Sequence, residues 1–323
     1  MKKTILVTGC KGLLGSATMK LLNDDYVNKF KIVGVDREDY NLLKTSQVVK
    51  MYKEISPDYI LHFGNVVGGI KFNIENKFDI LYQNTNINNN VIGLAHENNV
   101  EKLVFIGSTC MLTPSNKRLN EDSLLSGGIP ESNDSYAISK IHGYYLCKSL
   151  NSQYNRKYIT VVPTNCYGEL DTFDPERSHA INSIIYKIMK AKKTGGNVVL
   201  FGTGNPMRDW MHSSEAANQI MWAFENYNNP NKILCLSERN YIRNNELARL
   251  MCGFLNFDFN LVKFDGDIYK DGDKNKLTDT TYLESLGYKI FTDTEWVLLK
   301  RVCRWYEKNY KWDGSCFVTT FKR

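Results

Sequence analysis

The sequence has no apolar run of the roughly 18 residues that a membrane span requires. Its opening, MKKTILVTGCKG, holds one short apolar stretch that glycines interrupt at once, so no span is expected there and the chain reads as cytoplasmic. Close-paired cysteines are also missing. Eight are scattered along 323 residues, a pattern that argues against a disulfide framework or a metal site and leaves reduced thiols as the expectation. Net charge is +6, yet no basic block alternates with aromatics, so a nucleic-acid groove is not expected and an anionic small ligand suits the balance equally well. There is no internal repeat, proline-rich linker or long charge run. What remains is a chain with 42% hydrophobic residues, enough for a sizeable core in one large or two closely joined modest domains.

The run KTILVTG is β-branched and of strand length, LGSATMKLLND has helical periodicity, and KIVGVD is again a strand. The alternation continues through helical VVKMYKEI, the strand DYILHFG, the helix NTNINNNVIGLAHENN, the strand KLVFIGS, the long helix SYAISKIHGYYLCKSLNSQY and the strand YITVVPTN. Such an order predicts an α/β fold with a doubly wound parallel sheet. The asparagine-rich piece 84–90 keeps Ile87, Val91 and Leu94 at helical spacing and reads as a polar-faced helix. After Gly168 the alternation fades around a helix AINSIIYKIMKAKK and a strand NVVLFG, which predicts a smaller second lobe. The expected division is 1–166 and 167–323, with a segment near 208–236 returning to the first part. EWVLLKRVCRWYEKNY reads as a closing helix and the final FKR as a frayed tail.

Gly9, Gly12 and Gly15 stand between the first strand and the first helix, and Asp36 ends the second strand, 21 residues past Gly15. Glycines there let backbone approach a pyrophosphate at a helix N-terminus, where free amides and the helix dipole favour negative charge. The expected cradle is Gly9, Lys11, Gly12, Leu13, Leu14 and Gly15. A glycine triplet alone fits a tight turn without ligand; the flanking strand, helix and acid supply the context for a dinucleotide. Asp36 on a ribose favours NAD(H), whereas Lys11 and Arg37 suit the 2′-phosphate of NADP(H), and two cations near one ribose tip the balance to NADPH.

Tyr136 and Lys140 are four apart and share a helix face. An ammonium there is expected to lower the phenol pKa and help it exchange a proton with a carbonyl or alcohol oxygen as hydride moves. Ser108 ends the preceding strand and can hold the same oxygen. Cys110, two residues on, is expected on the same strand face. A surface ion pair or a small buried thiol is the bland reading of each residue taken alone.

These residues, with the stretches GSTC, VGGI, DSYAISKIHG, VVPTNCYG, DTFDPERSHAI and FGTGNPMRDWMH, resemble the extended short-chain dehydrogenase/reductases. More narrowly, they resemble the GDP-L-fucose synthase (GDP-4-keto-6-deoxymannose 3,5-epimerase/4-reductase) family over essentially the whole chain. The resemblance implies a Rossmann-type sheet with a smaller C-terminal α/β substrate lobe, NADPH as cofactor and a homodimer formed through paired helices. It also implies a GDP-linked 4-keto sugar as substrate, within polysaccharide or capsule biosynthesis. It assigns Ser108, Tyr136 and Lys140 to reduction, and Cys110 with His179 to acid/base epimerisation, with His179 also near the cofactor.

Arg208 and Lys276 match family positions on the nucleotide-sugar diphosphate, while Asn165, Arg177 and Phe201 are candidates for the sugar pocket. Three departures are expected near the sugar: Met111-Leu112-Thr113-Pro114, one residue longer and without the tyrosine, in place of Ile-Tyr-Pro; Gly64-Asn65 in place of small alanines; and Asn182 in place of proline. The expected activity is NADPH-dependent C4 reduction, with prior C3/C5 epimerisation, of a GDP-4-keto-6-deoxy sugar. A GDP-4-keto-6-deoxy-heptose or reduction alone are the alternatives, and a non-catalytic dinucleotide-binding regulator is the alternative of another class.

Overall fold

In the computed structural model, which describes residues 2–113, 118–174, 177–268, 271 and 275–320, the apolar runs become parallel strands. These are β1 (Thr4–Thr8), β2 (Lys31–Val35), β3 (Tyr59–His62), β4 (Lys102–Ile106) and β5 (Lys157–Pro163), ordered β2-β1-β3-β4-β5. Their side chains alternate between two cores, as the pleat requires. Ile5, Val7, Leu61, Val104 and Ile106 enter one face, and Leu6, Ile60, Leu103 and Phe105 the other. The connecting helices are α1 (Leu13–Leu21), α2 (Thr45–Ile55), α3 (Ile70–Glu75), α4 (Lys77–Glu97) and α5 (Asp134–Tyr154). Val48, Met51, Ile87, Val91 and Cys147 of α2, α4 and α5 cover the second face.

The polar-faced reading of residues 84–90 needs correction. Asn84 and Asn88 are fully buried. The Asn84 side chain accepts from the Val66 amide at 2.7 Å and donates to the Val66 carbonyl at 2.9 Å, and Asn88 donates to the Ser139 carbonyl at 2.9 Å. The loop after β3 runs without a strand neighbour, so its backbone groups need internal partners, and α4 supplies them.

Beyond β5 come β6 (Asn165–Tyr167), α6 (Ala180–Thr194), β7 (Val198–Leu200), β8 (Met207–His212), α7 (Ser213–Asn226) and β9 (Leu234–Leu236). β9 pairs in parallel with β5 as the sixth strand of the first sheet, and α7 packs beside α1. The rest is β10 (Asn240–Arg243), α8 (Asn244–Phe254), β11 (Val262–Phe264), β12 (Asn275–Lys276), α9 (Thr281–Ser285) and α10 (Val297–Asn309). β6, β10 and β12 all join β8, in a second sheet beside the first. A separate core forms where Ile185 and Ile188 of α6 meet Leu247 and Met251 of α8 and Leu299, Val302 and Tyr306 of α10.

The closing helix begins two residues later than its pattern suggests. Trp296 takes a left-handed backbone (φ 55°), and the Asp293 carboxylate accepts the amides of Val297 and Leu298 at 3.0 and 2.8 Å, capping the helix there. An unexpected hairpin, β13 (Tyr310–Trp312) with β14 (Phe317–Thr319), follows, and the FKR tail lies outside the described residues. Among the described residues no helix is long and apolar enough to cross a membrane.

Candidate active site

A cleft of about 1210 Å³ opens beyond the carboxyl ends of β1, β3, β4 and β5, where ligands of doubly wound sheets bind. Every residue expected to catalyse or bind lies on its wall except Lys11, while Met111, Thr113 and Asn182, expected near the sugar, do not line it. At one end the chain turns from β1 into α1. Gly9 has φ +68°, and a Cβ there would stand 2.9 Å from the Gly64 backbone; a Cβ on Gly15 would stand 2.1 Å from the Gly9 carbonyl. The tight turn therefore needs both glycines. Gly12 caps α1 without a side-chain hydrogen bond, and Gly12, Leu13, Leu14 and Gly15 line the cleft, so helix-start amides border it. This cradle fits the pyrophosphate of a nicotinamide dinucleotide.

Asp36 and Arg37 line the same end. Burial opposes the Asp36 charge, but Lys11 and the backbone amides of Glu38 and Asp39 prevail and hold the carboxyl below its usual range. Lys11 sits 2.6 Å from Asp36 and 2.8 Å from Glu38, which draws it off the cleft wall and onto the two carboxylates. That differs from the expected place beside a ribose phosphate and leaves Arg37 as the cation there.

The expectation that Ser108 and Cys110 share one face of a strand end is also revised. β4 ends at Ile106, and Ser108 instead caps a 3₁₀ turn, Thr109–Met111, its Oγ accepting the Cys110 amide at 3.2 Å. The two side chains share the opening because a tight turn packs them together. Tyr136 and Lys140 project from α5 and are both buried. Lys140 Nζ donates to Asn65 Oδ1 at 2.5 Å and to the Ile106 carbonyl at 2.8 Å, and burial pulls its pKa down to about 7. The phenol is not lowered by the lysine as expected. Burial raises it, a charge on Cys110 raises it further, and the Ser108 hydroxyl acts in the opposite sense.

His179 caps α6, with Nδ1 3.0 Å from Asp171 Oδ2. Asp171 is buried and its charge raises the imidazole pKa against the effect of burial. Opposite, β12 pairs with β8 so that Lys276 stands beside Arg208. Arg208 donates to the carbonyls of Met207 at 2.9 Å and Asp271 at 2.6 Å, whereas Lys276 Nζ reaches Cys110 Sγ at 3.5 Å. Asn165 donates to the Asp209 carbonyl at 2.9 Å. Arg177 lies over the Phe72 ring at 4.9 Å, and half-exposed Phe201 lies under Lys187 at 4.3 Å.

Sequence reasoning missed Asp171, Asn65 as a partner of Lys140, and Lys187 on the cleft wall. Asn65 carried a usable signal, since it follows a strand end in a parallel sheet. Asp171 carried none, because it stands eight positions before His179, a spacing that no local periodicity links. Asn182, expected near the sugar, turns into the core and donates to Tyr306 Oη at 2.7 Å and to the Thr172 carbonyl at 3.2 Å. A proline there could offer neither bond.

Residues 5–235 match the model of the NAD dependent epimerase/dehydratase family. The GDP-L-fucose synthase of Sinorhizobium fredii (strain NBRC 101917 / NGR234) is 32% identical over 92% of this chain and 94% of its own. The chain belongs to the GDP-L-fucose synthase family within the epimerase/dehydratases. The Escherichia coli (strain K12) GDP-L-fucose synthase is 33% identical over 89% of this chain and 91% of its own. A solved GDP-D-glycero-L-gluco-heptose synthase from Campylobacter jejuni, determined in the presence of NADPH, superposes with a TM-score of 0.81 at 25% identity, covering 95% of this chain and 98% of its own.

Proposed function

We propose that this family member is an NADPH-dependent epimerase/reductase of a GDP-linked 4-keto-6-deoxy sugar. The observation that carries the reading is the convergence on one cleft of a hydride-type set, Ser108, Tyr136 and Lys140, with a second acid/base set, Cys110 and the His179–Asp171 pair. The bound dinucleotide supplies the hydride for C4. Tyr136, kept protonated by burial, gives its proton to the C4 oxygen, which the Ser108 hydroxyl holds, and Lys140 next to Asn65 stands behind the phenol.

A 4-keto group acidifies the hydrogens at C3 and C5. One of Cys110 and His179 takes such a hydrogen and the other returns a proton to the opposite face, so configuration changes before C4 is reduced. Asp171 favours the charged imidazole and so assigns His179 the acid role and Cys110 the base role. Arg208 on the wall supports a diphosphate-bearing substrate. Arg37 at the ribose end favours NADPH over NADH.

A heptose in place of the hexose is the second reading, favoured by the likeness to the heptose synthase. A non-catalytic dinucleotide-binding role is disfavoured by the intact Ser108, Tyr136 and Lys140. The proposed protein is a cytoplasmic homodimer in polysaccharide or capsule synthesis. In support of a dimer, α4 exposes a stacked Phe78–Tyr82 pair and α5 exposes Ile138 and Tyr145.

The test is incubation with GDP-4-keto-6-deoxymannose, or the corresponding heptose, in deuterated water with NADPH, reading products by mass and NMR. The expected product carries deuterium at C3 and C5 and a C4 alcohol. Cys110→Ser should cut that incorporation by about a hundredfold while C4 reduction suffers less. No deuterium at either carbon with any accepted substrate would make the enzyme a C4 reductase alone.

A further inference from the structure

Lys276 was expected to face a diphosphate, yet its ammonium contacts the Cys110 sulfur at 3.5 Å across 166 residues of sequence. Backbone fixes this meeting. β12, two residues long, pairs with β8 on one side, placing Lys276 opposite Arg208. Just past β12 the chain meets Leu119, nine positions after Cys110: the Leu119 amide donates to the Leu277 carbonyl at 2.7 Å, and the Asp279 amide donates to the Leu119 carbonyl at 2.7 Å. The buried Asp209 carboxylate accepts the Thr278 amide at 3.2 Å and the Ser237 hydroxyl at 2.7 Å, locking the residue between the two clamping bonds. The backbone just after the amine-bearing residue is thus bonded on both sides, to β8 and to Leu119.

We propose that Lys276 is the counter-ion of the Cys110 thiolate, a positioning residue that keeps the epimerisation base charged and aimed into the cleft. The inference rests on reading Cys110 as that base. A thiol removes a carbon-bound hydrogen only as the thiolate, and an ammonium in contact favours that form. In the step, the C–H bond breaks, its proton passes to sulfur, and its electron pair enters the enolate of the 4-keto group. Among the described residues, the other charged or titratable groups lining this part of the cleft include Tyr136 and Lys140 from α5, Cys166 on β6, Arg177, His179 with Asp171 before α6, Arg208 on β8 and Asp271. Tyr136 responds to a charge on Cys110 by holding its own proton more firmly, which keeps the acid for C4 intact while the thiolate acts.

The experiment compares wild type, Lys276→Met, Lys276→Arg and Cys110→Ser. Alkylation by iodoacetamide is first measured on the ligand-free protein at fixed neutral pH, with the Cys110 peptide resolved by mass. Lys276→Met should alkylate at Cys110 about tenfold more slowly than wild type, and Lys276→Arg should recover most of the rate. In turnover, Lys276→Met should slow deuterium incorporation at C3 and C5 by more than it slows NADPH oxidation. Unchanged Cys110 alkylation in Lys276→Met, with a raised KM for the GDP-sugar, overturns the proposal alone and returns the lysine to the diphosphate. Wild-type deuterium incorporation by Cys110→Ser overturns the assignment of the base, and the proposal with it.

Discussion

At the dinucleotide end of the cleft the groups come from strand ends and helix starts of successive βα units, whereas at the sugar end Cys110, His179 and Lys276 arrive on a 3₁₀ turn, the N-cap of α6 and a two-residue strand. The first end works largely through backbone: what matters at Gly9 and Gly15 is the absence of a side chain. The second works through side chains that meet only after the two sheets are assembled. One end is therefore intolerant of bulk and indifferent to most chemistry. The other can be retuned residue by residue, as the departures at 111–113 and at Asn65 suggest.

The comparison breaks most visibly at Tyr136, the proposed proton donor to C4. Tyr136→Phe keeps the ring and removes the proton donor, so C4 reduction should fall at least about a hundredfold in steady-state NADPH oxidation. Cofactor affinity, measured by fluorescence titration, should change little by comparison.

Gly15→Ala sharpens the contrast from the other side. Its Cβ would lie 2.1 Å from the Gly9 carbonyl, so the turn must open. The expected result is a loss of about 2 kcal/mol of stability in urea unfolding. NADPH should also bind on the order of tenfold more weakly, the equivalent of about 1.4 kcal/mol.

The smallest effect belongs to Asp171→Asn. His179 is raised above 6.5 by Asp171, so the protonated imidazole persists to higher pH in the wild type. The alkaline limb of deuterium exchange should move to lower pH in the variant. The ion pair's contribution to stability is fully present below about pH 6.5 and is lost as pH rises through the raised value, so wild type and variant should differ more at pH 5 than at pH 9. An alkaline limb that stays in place would remove His179 as the acid.

The sheet was legible because continuous apolar, β-branched runs alternating with helical periodicity are local signals, and Ile5, Leu6 and Val7, all buried and entering the two cores in turn, illustrate such a run within one strand. The dinucleotide end was legible for the same reason. Lys11 was misplaced because its two carboxylate partners, Asp36 and Glu38, come from the far end of the next strand. Asn84 and Asn88 looked like surface because composition does not say which polar side chains meet unpaired backbone. The Ser108–Cys110 pair was found, but through the wrong geometry: a strand was read one turn too far. Lys276 against Cys110 could not be read at all, since the contact depends on three short backbone bridges.

β9 joins the first sheet only after the chain has built β6, α6, β7 and β8 in the other part of the molecule, and the family match likewise ends at residue 235, within that strand. The molecule therefore cannot be cut cleanly at residue 166. A fragment ending there would strip α7 from α1 and leave the inner strand β5 as an open edge, its Val161, Val162 and Pro163 no longer paired with Leu234, Cys235 and Leu236. Such an uncovered, apolar edge templates pairing with other chains, so the expected fate of the isolated N-terminal half is aggregation.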